Sequence, residues 1–241
     1  MKAMIFTAGI EGKLQPRSSE KPKALLAVNN EPLLGLLIRR LAFCGFSEVI
    51  VNVHHFAGQI IDYLRANNDF GIRIEVSVET DLRLDTGGGL KKVEWFFDDD
   101  SPFLLHNLEV LSDIDLTLLY RDHLKSGALA TLVVRNRESA RFMLFNDSMH
   151  LCGWENLATN ETRHIASYSG TLSRYAFSRI QVVNPCIFKH IGQKSAFPLA
   201  ELYLDLAGRN LIRGYRDNES IWMDLGKNEG IIEAEKFFLK N

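Results

Sequence analysis

Residues 49–53 (Val-Ile-Val-Asn-Val) form a nearly unbroken β-branched run, the pattern of a strand covered on both faces. Residues 2–7 form another apolar run, ending at Ala8-Gly9, and predict a buried strand that meets a loop. The stretch 10–23 is polar and rich in Gly, Pro and Ser, and predicts an ordered loop without regular structure. Pro32 marks a helix start; Leu33, Leu34, Leu36, Leu37, Leu41 and Phe43 follow, and Gly45 closes the helix. Residues 56–67 have helical spacing. Ile72, Ile74, Val76 and Val78 alternate with Arg73, Glu75 and Ser77, as in a strand buried on one face.

Farther along, Thr86-Gly87-Gly88-Gly89 predicts a turn that opens a helix running to residue 97. Strands are expected over 102–110, 128–135 and 176–183, helices over 116–125 and 198–207, and a hairpin around Asn146-Asp147. Late strands over 212–216 and 221–225 precede a closing helix over 229–238. Alternation of this kind predicts an α/β fold: a Rossmann-like, doubly wound, mostly parallel mixed sheet whose C-terminal half is partly antiparallel. The chain shows no linker, low-complexity tract or repeat, and no hexapeptide pattern for a C-terminal β-helix. A single domain over 1–241 is therefore expected.

At 46% hydrophobic, 241 residues can bury one substantial core. Lys and Arg number 28 against 30 Asp and Glu, and no long basic run occurs, so nucleic acid is not an expected partner. A phosphate ligand must be held by a few well-placed cations. Cys44, Cys152 and Cys186 are odd in number and lie in apolar stretches, as buried, reduced thiols would. The apolar start is too short for a signal segment, and nothing approaches the ~20 apolar residues of a membrane span. A cytoplasmic protein without a membrane partner is expected.

In such a sheet ligands bind beyond the carboxyl ends of the strands, where four segments fall. Thr7–Lys23 carries Ala8, Gly9, Gly12, Lys13 and Lys23: either a surface loop, or backbone N–H groups and two cations turned to a phosphate. Glu79–Gly89 brings Glu79 and the glycine turn, whose Gly87 and Gly88 either serve packing or let a flat base lie on bare backbone. The third and fourth segments supply Asn107, Glu109 and Asp224; the two acids matter as a pair only if the fold brings them together. Asp113-Ile114-Asp115 has the spacing that glycosyltransferases use for a metal-bound sugar nucleotide, but helix N-capping explains the aspartates more simply. His54 and His55 are adjacent, so in a strand their side chains would diverge. Asp98-Asp99-Asp100 reads as a solvated loop. Trp95-Phe96-Phe97 and Phe237-Phe238 read as core or as the contact of a homodimer.

In order and spacing the four segments resemble the nucleoside-diphosphate-sugar pyrophosphorylases, in the short form typified by N-acetylmuramate 1-phosphate uridylyltransferases and mannose-1-phosphate guanylyltransferases. That signature runs A-G-x-G-[ST]-R-[LM]-x-P, P-K-[AP]-[LM], T-G-G-G or T-G-x-A, N-x-D, and W-x-D-[IV]-G-[TR]. The resemblance covers nearly the whole chain, and implies that a sugar 1-phosphate attacks the α-phosphate of a nucleoside triphosphate with Mg²⁺ as cofactor. It assigns Ala8, Gly9, Gly12, Glu79, Gly87 and Gly88 to the nucleotide, Lys13 and Lys23 to the phosphates as catalytic cations, and Glu109 and Asp224 to the metal. Asn107 and Arg179 fall on the sugar side.

The chain departs from that signature at Glu11 (for glycine), Lys13 (for arginine), Leu108 and Glu109 (for a small residue and aspartate), Lys227, and Arg179 in place of the glycine of F-x-G-I. An active transferase and a family member that only binds nucleotide both remain open on that pattern, with a glycosyltransferase behind them.

Overall fold

The computed structural model describes residues 1–7, 22–79, 84–165, 170–226 and 228–240, the side chains of 228, 229 and 237–240 excepted. In chain order the elements begin with β1 (Lys2–Phe6), β2 (Ala27–Val28), β3 (Glu31–Pro32), α1 (Leu33–Phe43), β4 (Glu48–Val53), α2 (Ala57–Ala66) and β5 (Arg73–Val78). Then come α3 (Asp85–Lys92), β6 (Phe103–Asn107), β7 (Val110–Ser112), α4 (Leu116–Ser126), β8 (Ala130–Arg135), β9 (Arg141–Phe145) and β10 (Leu151–Asn156). The chain continues through β11 (Glu161–His164), β12 (Ser173–Val183), α5 (Leu199–Leu206), β13 (Ile212–Arg216), β14 (Trp222–Asp224) and α6 (Asn228–Lys240). Two compact units result. One takes Met1–Leu84, Leu105–Ile114 and Ile221–Asn241, the other Asp85–Leu104 and Asp115–Ser220.

In the first unit β4 lies parallel to both β1 (Lys2↔Glu48 to Phe6↔Asn52) and β5 (Glu48↔Arg73 to Val53↔Val78). All of β1, and all of β4 after Glu48, is buried, as expected for strands with both faces covered. Helix α1 follows Pro32, whose φ of −57° suits entry into a helix, and buries Leu33, Leu34, Leu37, Ile38 and Leu41. It stops at Gly45, where φ is +86°, a left-handed conformation that a Cβ would oppose. Arg40 Nη2 donates to the Ile114 carbonyl. The long-range pair β7–β14 is antiparallel, with Asp224 opposite Val110.

The second unit is largely antiparallel. β12 pairs with β8 and β9, β9 with β10, and β10 with β11, while β13 runs parallel to β8. The hairpin around Asn146-Asp147 is present as β9–β10. Phe97 stacks on Phe103, ring centroids 3.8 Å apart, and Phe188 lies beside both.

Several expectations need correction. The three glycines do not form a turn ahead of a helix: they lie inside α3, buried, and the helix begins at Asp85 with a φ of +56°. A Cβ on Gly87 would fall 2.1 Å from Phe197 Cε2, so the bare backbone admits that ring, and the Gly87 N–H donates to the Phe197 carbonyl at 2.8 Å. The strand expected to run to residue 110 ends at Asn107, and residues 108–109 form a turn before β7. His54 and His55 do not diverge; they lie in a bend past the end of β4, where strand alternation no longer applies, and their rings sit 4.1 Å apart. Cys186 is exposed rather than buried and Cys44 is half-buried, whereas Cys152 is buried. Trp95 is exposed, whereas Phe96 and Phe97 are in the core. Among the described residues no helix is long and apolar enough to cross a membrane.

Candidate functional site

Several of the residues named from the sequence lie at strand ends of the first unit. Past β1, Thr7 donates both its N–H (3.2 Å) and its hydroxyl (2.6 Å) to the Asn52 carbonyl. Past β5, the Glu79 N–H donates to the Val53 carbonyl at 2.7 Å. Glu79 is buried and engaged through both oxygens, with Asn52 Nδ2 at 2.8 Å on Oε1 and the Leu84 N–H at 3.1 Å on Oε2. Glu79 therefore fixes the ends of two strands and the chain entering α3. Asn52 was not marked by any sequence motif; its position as the one polar residue in a buried β-branched run was the available signal.

Past β6, the Leu108 N–H donates to the Phe6 carbonyl, and the next residue is Glu109. The pairing of β7 with β14 carries Asp224 alongside this turn, and the Leu225 N–H donates to the Glu109 carbonyl at 2.7 Å. A Cβ built on Gly226 would lie 2.9 Å from both Asp224 Oδ1 and Glu109 Oε2. Both oxygens thus lie within twice that distance of each other, and only glycine leaves room between them. Asp224 Oδ1 also accepts the Gly226 N–H at 3.0 Å. Gly230 lets α6 pack directly on the Asp224 backbone, since a Cβ there would fall 2.0 Å from the Asp224 carbonyl oxygen. Two acids far apart in sequence are brought together and held from behind.

Lys23 joins them. Its Nζ lies 3.2 Å from Glu109 Oε1, with side-chain exposures of 9% and 15%. So little solvent leaves the pair weakly screened, and the ammonium is kept at the Glu109 carboxylate. Lys23 stands directly after Pro22, at the head of the 3-10 turn Lys23–Leu25. Pro22 is extended, with φ −62° and ψ 145°, which aims the chain into that turn.

Two carboxylates with a glycine between them offer hard oxygen donors, and Mg²⁺ takes one or two of these while keeping water or phosphate oxygens in its remaining positions. The arrangement fits such an ion. Among the described residues no group of three or more His, Cys, Asp or Glu side chains is placed to hold a metal, so a cage supplied wholly by these side chains is not formed there.

Other predicted residues distribute as follows. Asn107 ends β6, and its carbonyl oxygen lies 2.9 Å from His106 Nδ1. Gly87 and Gly88 belong to the second unit, in α3, as does Arg179, in β12. Arg179 has a φ of +61° where the β12–β8 register shifts between Phe177 and Gln181. An irregularity with left-handed backbone is where glycine is favoured, which accounts for the glycine of F-x-G-I in the resembled signature. Ala8, Gly9, Glu11, Gly12 and Lys13 lie outside the described residues, as does Lys227. The D-x-D aspartates serve the fold: Asp113 Oδ1 accepts the Ile221 N–H at 2.7 Å, and Asp115 caps α4 by accepting the Leu118 N–H at 2.8 Å.

The chain is similar to the UTP–glucose-1-phosphate uridylyltransferase of Synechocystis sp., with 34% identity over 145 residues covering 56% of this chain and 37% of that protein. The chain thus spans little more than a third of that relative. It is similar over nearly its whole length to the N-acetylmuramate alpha-1-phosphate uridylyltransferase of Neisseria meningitidis serogroup B, with 27% identity over 235 residues, 98% of this chain and 97% of that one. Its fold matches that of a UDP-glucose pyrophosphorylase solved with UDP-glucose, with a TM-score of 0.77 at 15% identity over 99% of this chain and 98% of the other. That likeness shows a Rossmann-like nucleotide-diphospho-sugar transferase fold. The model of the Nucleotidyl transferase family matches residues 2–142, more than half of the chain, and the chain belongs to that family.

Proposed function

We propose that the chain is a Mg²⁺-dependent nucleotidyltransferase that joins a sugar 1-phosphate to a nucleoside triphosphate, giving an NDP-sugar and pyrophosphate. One observation carries this reading: Glu109 and Asp224 converge across Gly226, with Lys23 held against Glu109 at 3.2 Å. Relatives named as uridylyltransferases support the reaction class.

In the transfer an oxygen of the sugar 1-phosphate attacks the α-phosphorus while the bond from that phosphorus to the β-bridging oxygen breaks, and pyrophosphate leaves with the electron pair. Little covalent chemistry falls to the protein, so positioning and charge neutralisation dominate. Bound between Glu109 and Asp224, Mg²⁺ would supply neutralising charge to the phosphate oxygens and leaving pyrophosphate. Lys23 brings a further positive charge, kept in place by Glu109 until phosphate oxygens compete for it. Lys13, with Ala8, Gly9 and Gly12, is assigned to the phosphates and base. Glu79 positions the strand ends through Asn52 and Leu84. Asn107 and Arg179 are assigned to the sugar. A cytoplasmic location and a homodimer belong to the same reading.

The test is pyrophosphate release by the purified full chain with Mg²⁺, across a panel of nucleoside triphosphates and sugar 1-phosphates. Turnover with one pair, lost on chelation, is expected. No turnover across the panel, with a nucleotide-induced rise in melting temperature, would instead establish a binding protein.

A further inference from the structure

The unit formed by Asp85–Leu104 and Asp115–Ser220 contains a polar cavity of about 480 Å³ that shares no residue with the cluster of Lys23, Glu109 and Asp224. Its volume falls within the ~300–1,000 Å³ of small-molecule sites. The walls come from α4, from the β9–β10 turn and from strands β12 and β13.

The chemistry of the lining is particular. Arg213, Arg216, Asp122 and Asp147 line one space, so the formal charges cancel. Asp122 Oδ2 lies 3.1 Å from Arg213 Nη1, yet this buried oxygen has no aligned hydrogen-bond donor. The ion pair holds the Arg213 guanidinium in the wall of the cavity. Tyr175 and Tyr215 add two ring faces and two hydroxyls. Burial first, then the nearby carboxylates of Asp122, Asp217 and Asp115, push the Tyr215 phenol above its ordinary pKa, which keeps it a hydrogen-bond donor.

The rim is built at a conformational cost. Met149 has a φ of +59°, a left-handed backbone that L-residues rarely adopt. Its carbonyl accepts the Gly214 N–H at 2.8 Å, and a Cβ on Gly214 would meet Met149 Cε at 2.6 Å. Strain of this kind persists where the surroundings impose it, often at ligand clamps.

We infer that this cavity binds a neutral carbohydrate of one or two rings. Sugar hydroxyls donate and accept together, as a lining of guanidinium, carboxylate, amide and phenol groups requires. An inorganic phosphate, anionic, would be attracted by the arginines but repelled by Asp122 and Asp147, and it has no ring to lie against the tyrosines.

Saturation-transfer NMR on the full chain with glucose, maltose and sucrose tests the inference, alongside inorganic phosphate monitored by ³¹P line broadening. Ser173, exposed on β12 and lining the cavity, can be changed to Trp to fill it. Saturation transfer from at least one sugar, and binding at least about tenfold weaker in Ser173→Trp with an unchanged circular dichroism spectrum, is expected. Asp122→Asn, read the same way, replaces that variant should it misfold. Absence of transfer from every sugar, transfer undiminished in the variants, or variant-sensitive binding of phosphate alone would each overturn the assignment.

Discussion

Asn52 donates its side-chain amide to Glu79 Oε1 at 2.8 Å inside the protein, at the junction of two parallel strand ends. The other carboxylate oxygen takes the Leu84 N–H at 3.1 Å, so both oxygens of Glu79 act as acceptors. Asn52→Ala withdraws a donor from a buried carboxylate, and an unfolding free energy lower by ~1–3 kcal/mol is expected. Glu79→Gln should also destabilise, because in either amide orientation its NH₂ faces one of the two donors. Urea denaturation of both variants is the check. A Gln variant as stable as the parent would show that the two acceptor roles of Glu79 do not matter.

Gly226 occupies the gap between the two carboxylates, where a Cβ would sit 2.9 Å from an oxygen of each. Gly226→Ala should therefore push Glu109 and Asp224 apart, and the Mg²⁺ concentration giving half-maximal pyrophosphate release should rise. Asp224→Ala should lower the rate at least ~100-fold, the scale set by ångström-level misplacement of reacting groups. Its circular dichroism should stay native, since β14 is held by main-chain pairing with β7. A rate and Mg²⁺ dependence unchanged in Asp224→Ala would remove the metal assignment.

Arg179, at φ +61° in β12, adopts the backbone conformation of a glycine. Left-handed backbone costs an L-residue about 1–2 kcal/mol. Arg179→Gly should recover about 1 kcal/mol of stability, less the entropy that glycine adds to the unfolded chain. Arg179→Val, with its branched Cβ, should lose stability by at least that amount. Comparing the denaturation midpoints of the two variants decides the matter: equal midpoints would mean that the strand relaxes to negative φ at no cost.

Much of the architecture was legible because it follows from local rules. Pro32 and Gly45 bracket α1, and the unbroken run 49–53 forms the buried β4. The polar strand β11 (Glu-Thr-Arg-His) carries no sequence signal, because all four residues are exposed and no alternation exists to betray them. Burial of the α3 glycines was hidden for a different reason. Helix propensity disfavours glycine by ~1 kcal/mol, and only the Phe197 ring, over a hundred residues later, explains the bare backbone of Gly87. The site was half-legible: Glu109 and Asp224 could be named as acids at strand ends, but their meeting depends on the long-range β7–β14 pairing. The irregularity that makes Arg179 left-handed left no trace in its neighbours.

His106 and His123 are both buried, and each has its pKa lowered to about 4. Burial is the main cause for both, with the positive charge of Arg40 adding to it for His106 and that of Arg213 for His123. Both imidazoles are neutral in the folded protein near pH 5, whereas in the unfolded chain they protonate below the ordinary value of ~6.5. Unfolding therefore takes up protons between pH 6.5 and about 4, and stability that is fully present above 6.5 is lost as pH falls through this window. Each histidine contributes a slope approaching ~1.4 kcal/mol per pH unit. Between pH 6.5 and 5, before most carboxylates titrate, unfolding free energy should fall with a slope that approaches two protons. His123→Asn should remove one proton from that slope while losing the contact with Thr131 Oγ1, at 2.8 Å from His123 Nδ1. Stability measured at half-unit intervals of pH distinguishes the outcomes: a slope unchanged in His123→Asn would mean that His123 is already charged, or is exposed, in the folded protein.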